Sequence, residues 1–219
     1  MITSHLPNTL ELVRRVVERD GAIRSGLSRD LINVRALARY MQTTEDGASD
    51  MTLDALISGI RRYPLEKGRS HANIGRLVKK LTMKNRIVDI SVVNGQEIPA
   101  ALGKFASKVD YSRGETFHMV AGVEATRVVI DEKNLDKLKS SVPSRSIKKI
   151  VRGLAEIIIS LDDEAEKAPG VVSAATTELA MNGINMMEFM SCVPELIIVV
   201  DEKDALKSYE SLESLGRTR

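Results

Sequence analysis

The chain has 219 residues, 43% of them hydrophobic and 28% charged, the balance of a globular protein with room for one large domain or two to three small ones. Aromatic residues make up 3% with no Trp, so the cores must be built from aliphatic residues and Met, and an aromatic stacking surface for single-stranded nucleic acid is excluded. The net charge of +2 hides an asymmetry: residues 1–86 hold 16 Lys/Arg against 9 Asp/Glu, and residues 87–219 hold 16 against 21. A single cysteine, Cys192, excludes an intrachain disulfide and points to a reducing compartment. The opening MITSHLPNTLELVRR lacks a basic and then apolar leader, and no apolar run approaches the roughly 18 residues that cross a bilayer. The expectation is a cytoplasmic protein with no membrane partner.

Residues 1–85 read as a helical, basic domain, with helices near 8–20, 33–42, 52–63 and 72–82. In the second, Val34, Leu37, Ala38 and Met41 share one face and leave Arg35 and Arg39 outward. Leu53, Leu56, Ile57 and Ile60 form the apolar stripe of the third, with Asp50 or Thr52 as N-cap. Compact helices with a cationic face suit a helix-turn-helix-like reader of double-stranded DNA, although the nine residues QTTEDGASD exceed the standard three- or four-residue turn. From residue 60 to 86, nine basic residues face Glu66 alone. Within that run Arg61, Arg62, Lys67 and Arg69 are the candidate phosphate contacts, which add affinity and not sequence choice.

Beyond residue 86 the chain repeats itself at a spacing of 70. VVIDEKNLDKL (128–138) lies on IVVDEKDALKS (198–208), and the same register puts Ile87 on Ile157 and Pro99 on Pro169. RIVDISVV (86–93) and AEIIISL (155–161) have the β-branched content of strands. A Pro-led helix follows each, at 99–110 and 169–181. Strand pairs come next, at 116–122 with 125–131 and at 186–192 with 195–201. Asp131 and Asp201 then suit the N-caps of helices near 132–141 and 202–214. The order is β-α-β-β-α, most of a ferredoxin-like βαββαβ unit. SIKKIVRG (146–153) offers a fourth strand to the first copy, whereas the second either lacks one or borrows it.

The stretch APGVVSAATTELAMNGINMMEFMSCVPELIIVVDEKDALKSYESL (168–212) resembles the ACT domains of aspartate kinases: Pro-Gly-Val opens the first helix, Asn-Gly-Ile-Asn closes it, and a strand pair leads to a charged helix cap. The first copy departs from this pattern, with Ala100 for the glycine and SRGE (112–115) for NGIN. GLSRDLINVRALARYM (26–41) is similar to a segment of archaeal proteins that join a helical head to an ACT tail. The expected fold class is therefore α+β: an N-terminal helix-turn-helix-like domain, 1–85, then two tandem ferredoxin-like ACT-like units, 86–152 (degenerate) and 153–219.

The resemblance implies an amino-acid site between paired units, with ligand contacts at Asp162, Pro169, Gly170, Val171, Asn182, Ile184 and Asn185. The residues themselves agree with it. Gly170 opens a helix whose free amides favour a carboxylate, and the acidic loop from Asp162 suits an ammonium group. His5, His71 and His118 lie in different elements, and with one cysteine they give no metal-ligand spacing. No glycine-rich phosphate loop or nucleophile elbow is present, so neither catalysis nor a cofactor is expected. The sequence reads as an amino-acid-sensing regulator with a basic head that contacts DNA, homodimeric or larger through exposed sheet edges. Two competing readings are an allosteric partner that docks on a biosynthetic enzyme and a structural oligomer without a ligand.

Overall fold

The computed structural model describes residues 8–64 and 74–217. The chain divides into two compact units, residues 1–70 and 71–219.

The first unit contains four helices: α1 (Thr9–Arg19), α2 (Gly21–Ser28), α3 (Val34–Thr44) and α4 (Leu53–Arg62). Each starts on a short polar side chain that accepts the orphan amides of its first turn, namely Asn8, Asp20, Asn33 and Thr52. The core joins Leu12, Val16, Leu37, Met41, Leu56 and Ile60, the apolar stripes expected from helical spacing. Helix α2 lies outside the helices expected from the sequence. Its two glycines weaken intrinsic helicity, and the Asp20 carboxylate, bonded to the amides of Ala22 and Ile23, supports its start.

Of the helix expected at 72–82, residues 72 and 73 lie outside the described residues, and 74–82 form no α-helix. A 3-10 turn spans Ile74–Arg76, and Val78 already begins a strand. This strand, β1 (Val78–Val93), pairs along its whole length with β4 (Ile147–Leu161), and backbone pairing with distant residues overrides the local helical pattern of LVKKLTMK.

The second unit continues through α5 (Ile98–Ala106), β2 (Phe117–Ala121), β3 (Ala125–Asp131) and α6 (Leu135–Ser141) before β4, and through α7 (Val171–Met181), β5 (Met186–Cys192), β6 (Glu195–Asp201) and α8 (Ala205–Arg217) after it. All six strands form one antiparallel sheet in the order β2-β3-β1-β4-β6-β5. The two repeats therefore share strands. The later part of β1 pairs with β3 and with the start of β4; the later part of β4 pairs with β6 and with the start of β1. Residues 147–153 supply the first half with its fourth strand, and residues 78–84, upstream of both copies, supply the second. Both long strands change role at a bulge where the backbone turns to positive φ, +61° at Arg86 and +69° at Gly153.

The gapless register of 70 holds from β2 and β5 onward but fails upstream. Ile87 pairs with Asp131 as Leu154 pairs with Asp201, so Ile87 corresponds to Leu154 and not to Ile157. The two prolines also differ: Pro99 lies in the first turn of α5, whereas Pro169 precedes Gly170, the N-cap of α7. Asp131 and Asp201 each lead into a 3-10 turn, but only Asp201 caps it, through the Lys203 amide at 3.1 Å.

One face of the sheet packs against the helices. Val88, Ile90 and Val92 meet Leu102, Phe105 and Leu138 in the first half; Ile157, Ile159 and Leu161 meet Val171, Leu179 and Leu212 in the second. The opposite face gathers Ile87, Val129, Leu154 and Val199, with no helix residue in that cluster. The sheet curls over this face so far that side chains of non-neighbouring strands meet across it. His118 of β2 lies 2.5 Å from Glu156 of β4, and Arg127 of β3 lies 2.5 Å from Glu188 of β5.

Candidate functional site

The connection from the first strand to the first helix is short in the first half and long in the second. Four residues, 94–97, join β1 to α5, whereas nine, 162–170, join β4 to α7. Asp162 starts the longer loop by accepting the Glu164 amide at 3.2 Å, and its second oxygen pairs with Lys79 at 3.2 Å. That amide first, and then Lys79, hold the Asp162 carboxyl below its ordinary range. A 3-10 turn, Asp163–Lys167, presses Ala165 into the core. Gly170 then takes φ +92°, a left-handed conformation that costs glycine no Cβ clash, and turns the chain into α7.

An open cavity of about 580 Å³ lies at this end of α7. Its floor is aliphatic, formed by Leu161, Ala165, Val171 and Leu196. The half-exposed Val172 and Val193 stand at its rim. Glu166, Ser173, Thr176 and Ser191 supply its polar groups. Ala174 N–H makes the first bond within the helix, to Gly170 O at 2.9 Å, so the amides of Val171, Val172 and Ser173 are those that a helix start leaves without an internal partner. Their partial positive charge favours an anionic group.

Of the residues named from the sequence for ligand contact, Gly170 and Val171 line this cavity. Pro169 adjoins it in the chain, and Asp162 turns away to Lys79. Asn182, Ile184 and Asn185 stand at the other end of the 11-residue α7, roughly 16 Å away at 1.5 Å per residue. There they stop the helix. Ile184 N–H bonds Leu179 O at 3.0 Å around Gly183 at φ +69°, while the Asn182 side-chain Nδ2 donates to Glu178 O at 2.9 Å. Ile184 is buried in the core and the Asn185 side chain donates to Met187 Sδ. Ser173, Thr176 and Ser191 escaped the sequence reading because their walls come from α7 and from the far end of the β5–β6 hairpin, which no local spacing joins.

In the helical unit Arg61 and Arg62 are exposed in the last turn of α4, where Arg62 Nε donates to Ser58 O at 3.2 Å. Lys67 and Arg69 lie outside the described residues. The connector from α3 to α4 is eight residues, 45–52, longer than the turn of a standard helix-turn-helix. Arg19 pairs with the buried Glu45, and Arg14 with Glu18 at 2.9 Å, so part of the positive charge of this unit is neutralised internally. Among the described residues no group of three or more His, Cys, Asp or Glu side chains is placed to hold a metal ion, and no helix is long and apolar enough to cross a membrane.

No protein-family model and no curated protein sequence matches the chain. Solved structures do. The chain is similar to the aspartate kinase of Clostridium acetobutylicum, an allosteric enzyme, with TM-score 0.52 and 16% identity over 64% of this chain. It spans only 35% of that enzyme's length. The ligand-free regulatory subunit of aspartate kinase from Thermus thermophilus aligns with TM-score 0.51 and 12% identity, covering 64% of this chain and 97% of that one. A structure of aspartokinase alpha and beta subunits gives TM-score 0.53 and 13% identity, with 64% and 99% covered. At these identities the likeness establishes the fold: the chain has the α+β architecture of aspartate kinase regulatory regions.

Proposed function

We propose that this chain is an amino-acid-sensing regulatory protein that binds its effector in the cavity at the start of α7. The observation that carries the reading is the pairing of an aspartate-kinase regulatory fold with an open, mixed aliphatic and polar cavity around Gly170 and Val171. Such a cavity falls within the size range of small-molecule sites and offers amides for a carboxylate and Glu166 for an ammonium group. Regulation would follow from linkage. A ligand that favours one arrangement of the two halves shifts the protein toward it by its difference in affinity and by no more. A thermal-shift screen of the twenty amino acids tests this, because a ligand of the native state raises the melting temperature. No stabilising amino acid would remove the reading.

For the helical unit we propose an output role as the DNA-contacting part of a transcriptional regulator of amino-acid metabolism, carried by the exposed Arg35, Arg39, Arg61 and Arg62. The second reading, docking on a biosynthetic enzyme, is favoured by the charge balance of residues 8–64, where nine Arg stand against eight Asp and Glu. Binding to a nonspecific duplex across a salt series separates the two: phosphate contacts give affinity that falls steeply with salt, and no binding at low salt leaves the docking role. A homodimer or larger assembly of this regulator is checked by its sedimentation mass.

A further inference from the structure

The cavity walls are unequal in a way that selects among amino acids. Among the described lining residues Glu166 is the one with an acidic or basic side chain, and no described Lys, Arg or His joins it. The other acids of the same loop, Asp162, Asp163 and Glu164, do not line the cavity, and Asp162 is held by Lys79 and the Glu164 amide. Thr176 spends its hydroxyl hydrogen on Val172 O at 3.0 Å and Ser173 O at 3.2 Å, leaving only its oxygen lone pairs for a guest. The remaining wall is aliphatic, with Leu161, Val171 and Leu196 buried beneath it and Val172 and Val193 at the rim.

Resting on the amino-acid reading above, we propose that the cavity takes a zwitterionic α-amino acid with an aliphatic side chain, of the leucine, isoleucine and valine class. Its carboxylate meets the amides of Val171, Val172 and Ser173, its ammonium meets Glu166, and its side chain covers Leu161, Val171 and Leu196. Glu166 can neutralise one ammonium group and no more. A lysine side chain would therefore carry its second cation onto an aliphatic wall, and aspartate would bring a second carboxylate with no basic side chain to receive it. Charge moved from water to such a wall without a partner is strongly disfavoured.

The test is calorimetric titration of the full chain with L-leucine, L-lysine, L-aspartate and 4-methyl-2-oxopentanoate, the last being leucine with its ammonium-bearing carbon oxidised to a ketone. Leucine is expected to bind about tenfold or more tighter than lysine, aspartate and the keto acid. In Glu166→Gln, an exposed position whose replacement leaves the core intact, leucine should lose affinity while the keto acid does not. Lysine or aspartate binding as tightly as leucine, or Glu166→Gln leaving the leucine preference over the keto acid unchanged, overturns the proposal while the sensor reading stands. No binding by any of the twenty amino acids overturns both.

Discussion

Arg127 of β3 and Glu188 of β5 form an ion pair at 2.5 Å although three strands, β1, β4 and β6, lie between their own in the sheet. Arg127 also pairs with Asp89 of β1, a carboxylate only 1% exposed. The same crossing occurs in the other sense. Glu156 corresponds to Asp89, since each lies two residues beyond the equivalent pair Ile87 and Leu154, and His118 corresponds to Glu188, since each faces the equivalent pair Val129 and Val199. Glu156 meets His118 and also accepts from Thr116 Oγ1 at 3.0 Å. Two ties therefore hold the curl of the sheet, each running from a central strand to the opposite half. Removing Arg127 strands the buried Asp89, so Arg127→Ala should cost about 2–4 kcal/mol, whereas Glu188→Gln, which leaves Arg127 on Asp89, should cost about 1 kcal/mol. Chemical denaturation of both variants and of the double variant should show non-additivity, the double variant costing less than the sum. Additive losses would show the two residues to be uncoupled.

Acid should act on the loop that leads into β2. Glu115 receives Lys133 at 2.7 Å and the Asp110 amide at 3.1 Å, which together bring its carboxyl down from 4.5 to about 2. Between those values the unfolded chain holds more protons than the folded one, so stability rises with pH there. This contribution is complete above about pH 4.5 and lost as pH falls toward 2. Asp89 has the reverse sign, because burial raises its pKa above the ordinary 3.8 against the pull of Arg127. Its folded form keeps the proton longer, and stability falls as pH rises from that value. Denaturation series from pH 2 to 6 should therefore show Glu115→Gln flattening the acid limb and Asp89→Asn removing a slope of the opposite direction.

Gly75, in the turn that leads into β1, lies so close to the end of α8 that an added Cβ would sit 2.3 Å from Leu215 O. Gly75→Ala must push the turn off that helix and is expected to cost about 2–3 kcal/mol. Gly103 offers the contrast: it is helical with nothing within 4 Å of a new Cβ, and Gly103→Ala should stabilise by about 0.5–1 kcal/mol. Melting curves of the pair give the comparison, and equal effects would argue against the close approach.

The helical unit keeps a core of its own, with Leu56 fully buried between α1 and α3 residues. Leu56→Ala should destabilise it by about 2–5 kcal/mol. Followed by amide exchange, protection should fall at α1, α3 and α4 while the central strands β1 and β4 keep theirs. A parallel loss in those strands would show that the two units unfold together.

Much of this architecture was legible in the chain. Alternation in Val88, Ile90 and Val92 and helical spacing in Leu53, Leu56 and Ile60 report burial directly, because one face of each element meets a core. The repeated Asp-Glu-Lys marks the same strand-to-helix junction twice. What stayed hidden depends on partners distant in sequence. Val78 to Lys84 look helical until Leu161 to Glu156 are laid beside them, and the shift in register between Ile87 and Leu154 is set by bulges at Arg86 and Gly153 that composition does not announce. The site was half legible for the same reason. Gly170 and Val171 announce a helix start and Asn182 and Ile184 a helix stop, but which other elements wall the cavity at the start is set by the fold alone.

The sharing of β1 has a consequence for how the protein is made. On the ribosome, residues 78–84 emerge well before Leu161 and Glu156, and until those arrive this segment is a bare strand edge in the nascent chain. It carries Lys79, Lys80 and Lys84, and lysine on an open edge repels the backbone of other chains. Lys84 finds Asp131 at the end of β3, and Lys79 finds Asp162 once β4 docks. The positive charge concentrated there thus guards an unfinished sheet against aggregation and afterwards ties it shut.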